Sequence, residues 1–405
     1  MSVVDTRQNV QGWIAEARAS LARDRAIARG DMATFDVVNL LAVPQAAWAD
    51  LASRAIEANA FYHPAFARAV ARFAEGRSGA RALVAWDSPA KRRMIGLLPV
   101  IPAWRALRIP VPVFVAWQAY APLTTPLLDR DNPEAAARAL VAAARKGGAQ
   151  ALLLPALAED GPAAQAMRAA ISRFGLEPYA FDRHERARLD ATQDGEQALA
   201  ALGPKKLKEL RRQRNRLGDT GEVAFRVAAP GRETEAALAS FLALEASGWK
   251  GAGGTALASK PGDVAFLKAA VPAMALSGHA NVVTLQTGDK VVAAGVVLRH
   301  LRRAYFFKIA YDEAYAKTSP GVQLTLDITR AMCADESIDA VDSTAIANHP
   351  MIDPIWRGRQ PVADVLLPVQ AGRPGLALFA ALINARRVLR AAARSLYHRL
   401  RTLKG

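Results

Sequence analysis

The stretch Arg303 to Ala334, RAYFFKIAYDEAYAKTSPGVQLTLDITRAMCA, decides the fold. Arg303 to Ala310 is apolar, aromatic-rich and strand-length. Gly321 to Ala334 repeats its apolar residues at helical spacing. The loop between them holds Tyr311 and Pro320, and Pro320 suits the first turn of a helix. A strand feeding a helix start through a short loop favours an anion, because free backbone N–H groups and the helix dipole point at it.

Outward from that unit, Asn281 to Gln286 and Lys290 to Arg299 read as a hairpin closed at Gly288-Asp289. Ile338 to Asp342 reads as a strand, Ala347 to Trp356 as short helix or loop, and Val362 to Val369 as a closing strand. The first half repeats this order. Ala80 to Trp86, Arg93 to Ile101 and Val111 to Trp117 are strands. Pro133 to Arg145 is a helix, Ala149 to Leu154 a strand, and Pro162 to Phe174 a helix. Gly96 and Gly295 hold equivalent places in the two return strands. Identity between the halves is slight, so the repeat is structural. The expected fold class is α/β (α+β): two tandem domains, each a mixed, mostly antiparallel sheet flanked by helices. The expected division is an N-terminal helical segment at 1–34, domains at 35–190 and 191–370, and a basic amphipathic helical tail at 371–405.

The chain has 405 residues, a length for two domains, and its globular composition excludes a disordered or fibrous protein. The net charge of +16 is concentrated in two places. Pro204 to Leu217 (PKKLKELRRQRNRL) holds seven basic residues and one acid, and after Asp364 there are eight basic residues and no acid. A partner argument therefore attaches to these two helices. The basic helix lacks the interleaved aromatics that stack on bases, so nucleic acid is the weaker expectation and a solvated connector the bland one. The tail repeats Phe379, Ile383, Leu389, Leu396, Leu400 and Leu403 among its arginines. It can pack on the body, contact an anionic membrane, or bind an acidic protein. Met1 to Asp24 does not read as a signal peptide, and no apolar run approaches the roughly 20 residues of a membrane span, so a cytoplasmic protein is expected.

The single cysteine, Cys333, excludes a disulfide framework and a cysteine zinc site, and it is expected mid-helix and buried. No metal-ligand spacing occurs, and no GxSxG elbow. Gly251 to Gly254 is not followed by GK[ST], so it is not a phosphate-cradling P-loop.

Three segments carry a resemblance: Leu244 to Leu257 (LEASGWKGAGGTAL), Ala310 to Ile328 (AYDEAYAKTSPGVQLTLDI) and Asp342 to Trp356 (DSTAIANHPMIDPIW). With the basic helix and Phe61-Tyr62-His63-Pro64, they resemble the acetyltransferase-like GNAT proteins of bacteria linked to cellulose and other exopolysaccharides. Fem-type peptidyltransferases are more distant relatives. The resemblance implies acyl transfer from acetyl-CoA or another acyl-CoA to an amine or hydroxyl, with no metal. It places the CoA pyrophosphate at the loop, with amides from Thr318, Ser319, Gly321 and Val322 and a charge from Lys317. The loop departs from the family's usual Gln/Arg-x-x-Gly-x-Gly/Ala.

For the acceptor, Glu245, Trp249, Lys250, Tyr311, His349 and Trp356 are the candidates. Their structural readings are a core tryptophan, a helix C-cap and a turn histidine. Asp342 and Asp312 end neighbouring strands and are rival general bases, though acids at strand ends are commonly caps. The second domain is expected to carry the site and the first to be a degenerate copy. Three functions follow: an acyltransferase acting on an amine of an exopolysaccharide or cell-envelope precursor, a Fem-like transferase using aminoacyl-tRNA, or a non-catalytic nucleotide-responsive regulator.

Overall fold

The computed structural model describes residues 33–118, 120–247, 257–370, 379–386 and 388. The first half runs β1 (Thr34–Asn39), α1 (Gln45–Ser53), α2 (Pro64–Phe73), β2 (Arg81–Trp86), β3 (Met94–Pro102), α3 (Ala103–Leu107), β4 (Val113–Ala116), β5 (Leu127–Leu128), α4 (Pro133–Lys146), β6 (Ala151–Leu157), α5 (Pro162–Ser172) and β7 (Tyr179–Asp190). The second half runs α6 (Gly195–Ala200), α7 (Pro204–Gly218), β8 (Val223–Val227), α8 (Arg232–Ser247), α9 (Pro261–Leu276), β9 (Ala280–Thr287), β10 (Lys290–His300), β11 (Arg303–Tyr311), α10 (Pro320–Cys333), β12 (Ala340–Asp342) and β13 (Gly358–Pro368). Residues 379–386 are again helical. Proline at the first turn opens α2, α4, α5, α7, α9 and α10, where its missing N–H removes no helical hydrogen bond.

All thirteen strands join one sheet in the order β1-β2-β3-β4-β6-β13-β7-β12-β11-β10-β9-β8, with β5 beside β3. From each edge inward, three antiparallel pairings lead to one parallel pair, β4 with β6 and β11 with β12. The mixed, mostly antiparallel architecture read from the sequence is present. The halves also exchange strands at the centre. β7 ends the first half but bonds to β12, and β13 ends the second half but bonds to β6; the two bond to each other.

Gly96 and Gly295 both lie where a Cβ would crowd the packing. At Gly96 it would meet the Ala136 Cβ of α4 at 3.3 Å, and at Gly295 the Phe306 ring at 3.1 Å. Gly96 therefore lets α4 pack closely on β3, while Gly295 makes room for a ring from the neighbouring strand β11. On the other face, α2, α8 and α9 bring the halves together around aromatic rings. Phe61 meets Tyr305 and Phe307 at 5.5 and 5.7 Å, and Phe66 meets Phe266 at 5.1 Å. Such edge-to-face pairs add roughly 0.5–1.5 kcal/mol each beyond burial. The Phe61 to Pro64 segment thus wedges the halves together. His63 caps α2, its Nδ1 accepting from the Ala65 amide.

Two elements differ from the sequence reading, and one open alternative is decided. β7 was not expected, because its sequence YAFDRHERARLD is too charged to read as a central strand. Residues 347–356, expected as short helix or loop, are turns and irregular backbone, with Asn348 at positive φ. Cys333 closes α10 instead of sitting mid-helix, and it is only partly buried; that burial pushes its thiol up from the usual range.

Candidate functional site

The parallel pair β11/β12 is in register only from Arg303/Ala340 to Tyr305/Asp342. Beyond it, β11 continues to Tyr311 while the chain after Asp342 turns away. The Ser343 amide bonds the Ala187 carbonyl, and the Thr344 hydroxyl donates to the Phe306 carbonyl at 2.6 Å. Backbone pairing between the two strands thus ends at Tyr305/Asp342, and β11 runs on to the loop without it.

That loop is built in two steps. Asp312 caps a 3-10 helix, Glu313–Thr318, by accepting from the Ala314 amide at 2.9 Å. Ser319 then takes a left-handed conformation (φ 51°, ψ 54°) that turns the chain into α10 at Pro320. Pro320 has no N–H, so Gly321 and Val322 carry the first-turn amides that helix geometry leaves without an intrahelical acceptor. A Cβ on Gly321 would stand 3.2 Å from the Tyr311 ring, so any side chain there requires the ring to shift by a few tenths of an ångström. Thr318 donates its hydroxyl to the Tyr315 carbonyl, and Lys317 is exposed. Lys317, Thr318, Ser319, Gly321, Val322 and Tyr311 are therefore brought together on one turn.

The basic helix α7 packs beside this 3-10 helix. The Gln323 side chain of α10 donates to the Leu210 carbonyl of α7 at 2.8 Å, and Arg214 pairs with Asp327 at 2.8 Å. Lys205, Lys206, Lys208, Arg211, Arg212 and Arg216 are exposed. Positive charge thus borders the loop from a segment about a hundred residues away in sequence. Gln323 and Arg214 were missed in the sequence, because nothing local marks a residue that ties two helices.

The two candidate bases are both engaged. Asp342 is buried; one carboxylate oxygen takes a hydrogen bond from Arg186 at 2.6 Å and the other from the Thr344 amide at 2.8 Å. Asp312 pairs with Lys290 at 2.9 Å, and that hydrogen bond holds its carboxyl below the usual carboxylate range. Neither is placed as a free base. Arg186, on β7, was not singled out in the sequence, and it also donates to the Pro122 carbonyl.

Among the described residues, the acceptor candidates do not assemble into one pocket. Trp356 is a correction: it lies in the core, its indole donating to the Thr329 hydroxyl at 2.9 Å and its ring 6.0 Å from Phe306, so it lines no open site. Glu245 is buried and accepts from the Leu257 amide at 2.9 Å. His349 holds a turn, its Nδ1 accepting from the Met351 amide. Trp249 and Lys250 lie outside the described residues, as do residues 1–32 and most of the tail.

In the first half the parallel pair β4/β6 also parts, after Val115/Leu153. A groove of about 220 Å³ opens there, lined by Arg77, Arg105, Trp117, Gln118, Leu153 and Pro155 among others. Among the described residues, no group of three or more His, Cys, Asp or Glu is placed to hold a metal ion, and no helix is long and apolar enough to cross a membrane.

Residues 204–349 match the family model of the acetyltransferase (GNAT) domain. This span runs from the start of α7 through the β11–α10 loop and past Asp342. The C-terminal domain of a putative lysylphosphatidylglycerol synthetase from Agrobacterium fabrum is similar in structure, with a TM-score of 0.52 at 15% identity over 84% of this chain and 95% of that one. FemX is similar with a TM-score of 0.51 at 9% identity, over 82% of this chain and 96% of that one. At such identities the likeness is one of fold. No curated protein sequence matches the chain. Residues 204–349 thus form a domain that matches the acetyltransferase (GNAT) family, and the chain as a whole shares its overall fold with FemX.

Proposed function

We propose that the second half transfers an acyl group, most simply acetyl, from an acyl-CoA to an amine, such as that of an exopolysaccharide or cell-envelope precursor. One observation carries this reading: β11, unpaired with β12 beyond Tyr305, runs into a tight turn whose Gly321 and Val322 amides open a helix beside a strongly basic one. Backbone donors and helix polarity favour a phosphate-bearing donor there. Asp342 and Asp312 are both committed to other partners. Rate acceleration then comes from positioning thioester and amine, and from backbone donors to the developing oxyanion, without an aspartate base.

A second reading is favoured by α7 itself. Six exposed cations on one helix exceed what a single nucleotide needs, and they suit an aminoacyl-tRNA donor bound by phosphate neutralisation.

Thermal unfolding in the presence of acetyl-CoA, a longer acyl-CoA and aminoacyl-tRNA tests both. A ligand at 100 times its Kd stabilises the folded state by roughly 2.7 kcal/mol. An acyl-CoA shift that disappears in Gly321→Val, whose side chain would crowd Tyr311, is the expected result. No shift at about millimolar acyl-CoA sinks the first reading. A shift with aminoacyl-tRNA alone, lost at high salt, establishes the second.

A further inference from the structure

The short helix α3 and residues 379–386 pack on a part of the sheet away from the donor loop. Phe379, Ala380 and Ile383 bury there with Ala103, Val113, Val115 and Leu153, and Leu107 and Ile109 lie against them. The last described segment of the chain is therefore anchored beside α3. What the two elements leave outward is unusual. Trp104 is 55% exposed, Leu382 50% and Val388 62%. Arg105 and Arg108 flank the tryptophan, both exposed, and Arg108 holds a left-handed turn (φ 59°) that closes the helix. Arg105 donates to the Ser78 and Gly79 carbonyls, which sets the exposed Arg77 at the rim of the groove beside α3.

We propose that this face docks on an anionic phospholipid surface, with Trp104 seated at the headgroup level and Arg77, Arg105 and Arg108 meeting lipid phosphates. The inference is independent of the acyl-transfer reading. Charge complementarity selects the occupant. The chain from 365 to its end has eight basic residues and no acid, and its described part ends on this face. A tryptophan among arginines suits the membrane interface, where an apolar ring and a polar N–H meet their two media together. Juxtamembrane cations each add on the order of 1 kcal/mol at an anionic surface, and salt screens them. An acidic protein partner would explain the arginines but not the scattered exposed apolar side chains.

The test is co-sedimentation of the full chain with phosphatidylcholine vesicles containing about 30% phosphatidylglycerol. Binding is expected at low salt, with strong loss at about 0.5 M NaCl and none to pure phosphatidylcholine. The double variant Arg105→Glu, Arg108→Glu should weaken it by about tenfold or more. Thermal melts check that this variant is folded. Quenching of tryptophan fluorescence by brominated lipid in the unaltered chain, reduced in Trp104→Phe, reads the same face without a charge change. A full chain that ignores anionic vesicles at low salt overturns the proposal. So does a folded double variant that binds as well as the unaltered chain, or quenching that Trp104→Phe leaves unchanged.

Discussion

Arg186 on β7 and Asp342 on β12 form a buried ion pair at 2.6 Å, joining residues 156 positions apart at the seam between the two halves. The Thr344 amide and the Pro122 carbonyl take up further hydrogen-bonding capacity of the pair. Removing one partner strands the other charge in the interior. Asp342→Asn is expected to cost about 3–5 kcal/mol in urea unfolding. Replacing both by apolar residues of similar volume should cost clearly less than the sum of the single changes. A cost below about 1 kcal/mol for Asp342→Asn would show that the pair contributes little and would reopen a catalytic role for the carboxylate.

The exchanged strands bear on cooperativity. β13 stands between β6 and β7, so neither half completes its sheet without a strand from the other. Calorimetry should give one transition, with calorimetric and van't Hoff enthalpies in agreement, although chains of this length often unfold in parts. Deleting residues 358–405 should unfold both halves. Two separable transitions in the full chain would contradict the structural coupling.

Three histidines set an acid limit. His63, His279 and His300 cluster at the seam, with His63 and His279 ring centroids 4.4 Å apart. Burial pushes all three below the usual imidazole range, His63 to about 3 and His300 to about 4. His300 accepts the Asn59 amide at Nδ1 and contacts the Ala52 carbonyl through Nε2, an arrangement for neutral imidazole. The folded state therefore binds fewer protons than the unfolded chain, whose histidines titrate near 6.5. Stability is complete above that value and falls as pH drops toward 4, by up to about 1.4 kcal/mol per pH unit for each histidine. His300→Gln should flatten this limb in stability measured from pH 7 to pH 4; an unchanged slope would remove His300 from the account.

The β11–α10 loop holds a smaller strain. Ser319 adopts φ 51° with no side-chain capping bond. Ser319→Gly relieves a left-handed conformation that costs a residue with a Cβ roughly 1 kcal/mol, offset in part by the entropy glycine adds to the unfolded chain. A neutral or slightly stabilising change is expected in thermal unfolding. A loss above about 1 kcal/mol would mean that the serine side chain has a structural partner in solution.

Local sequence determined the repeated central elements of each half and the place of the β11–α10 loop. The strand-length runs at Lys290 to Arg299 and Arg303 to Ala310, and the proline-led helices at Pro133 and Pro320, are set by side-chain alternation and backbone chemistry within a few residues. The two basic segments are likewise plain in composition. Tertiary structure alone decided what β7 is. Its charged residues read as loop in isolation, yet Arg186 and Arg188 lie in a central strand flanked by β13 and β12. It also decided that Asp342 is already paired, that Trp356 is core, and that α7 borders a loop a hundred residues away. Each depends on groups distant in the chain, and the desolvation of a charge is decided by what arrives beside it, which no local pattern encodes.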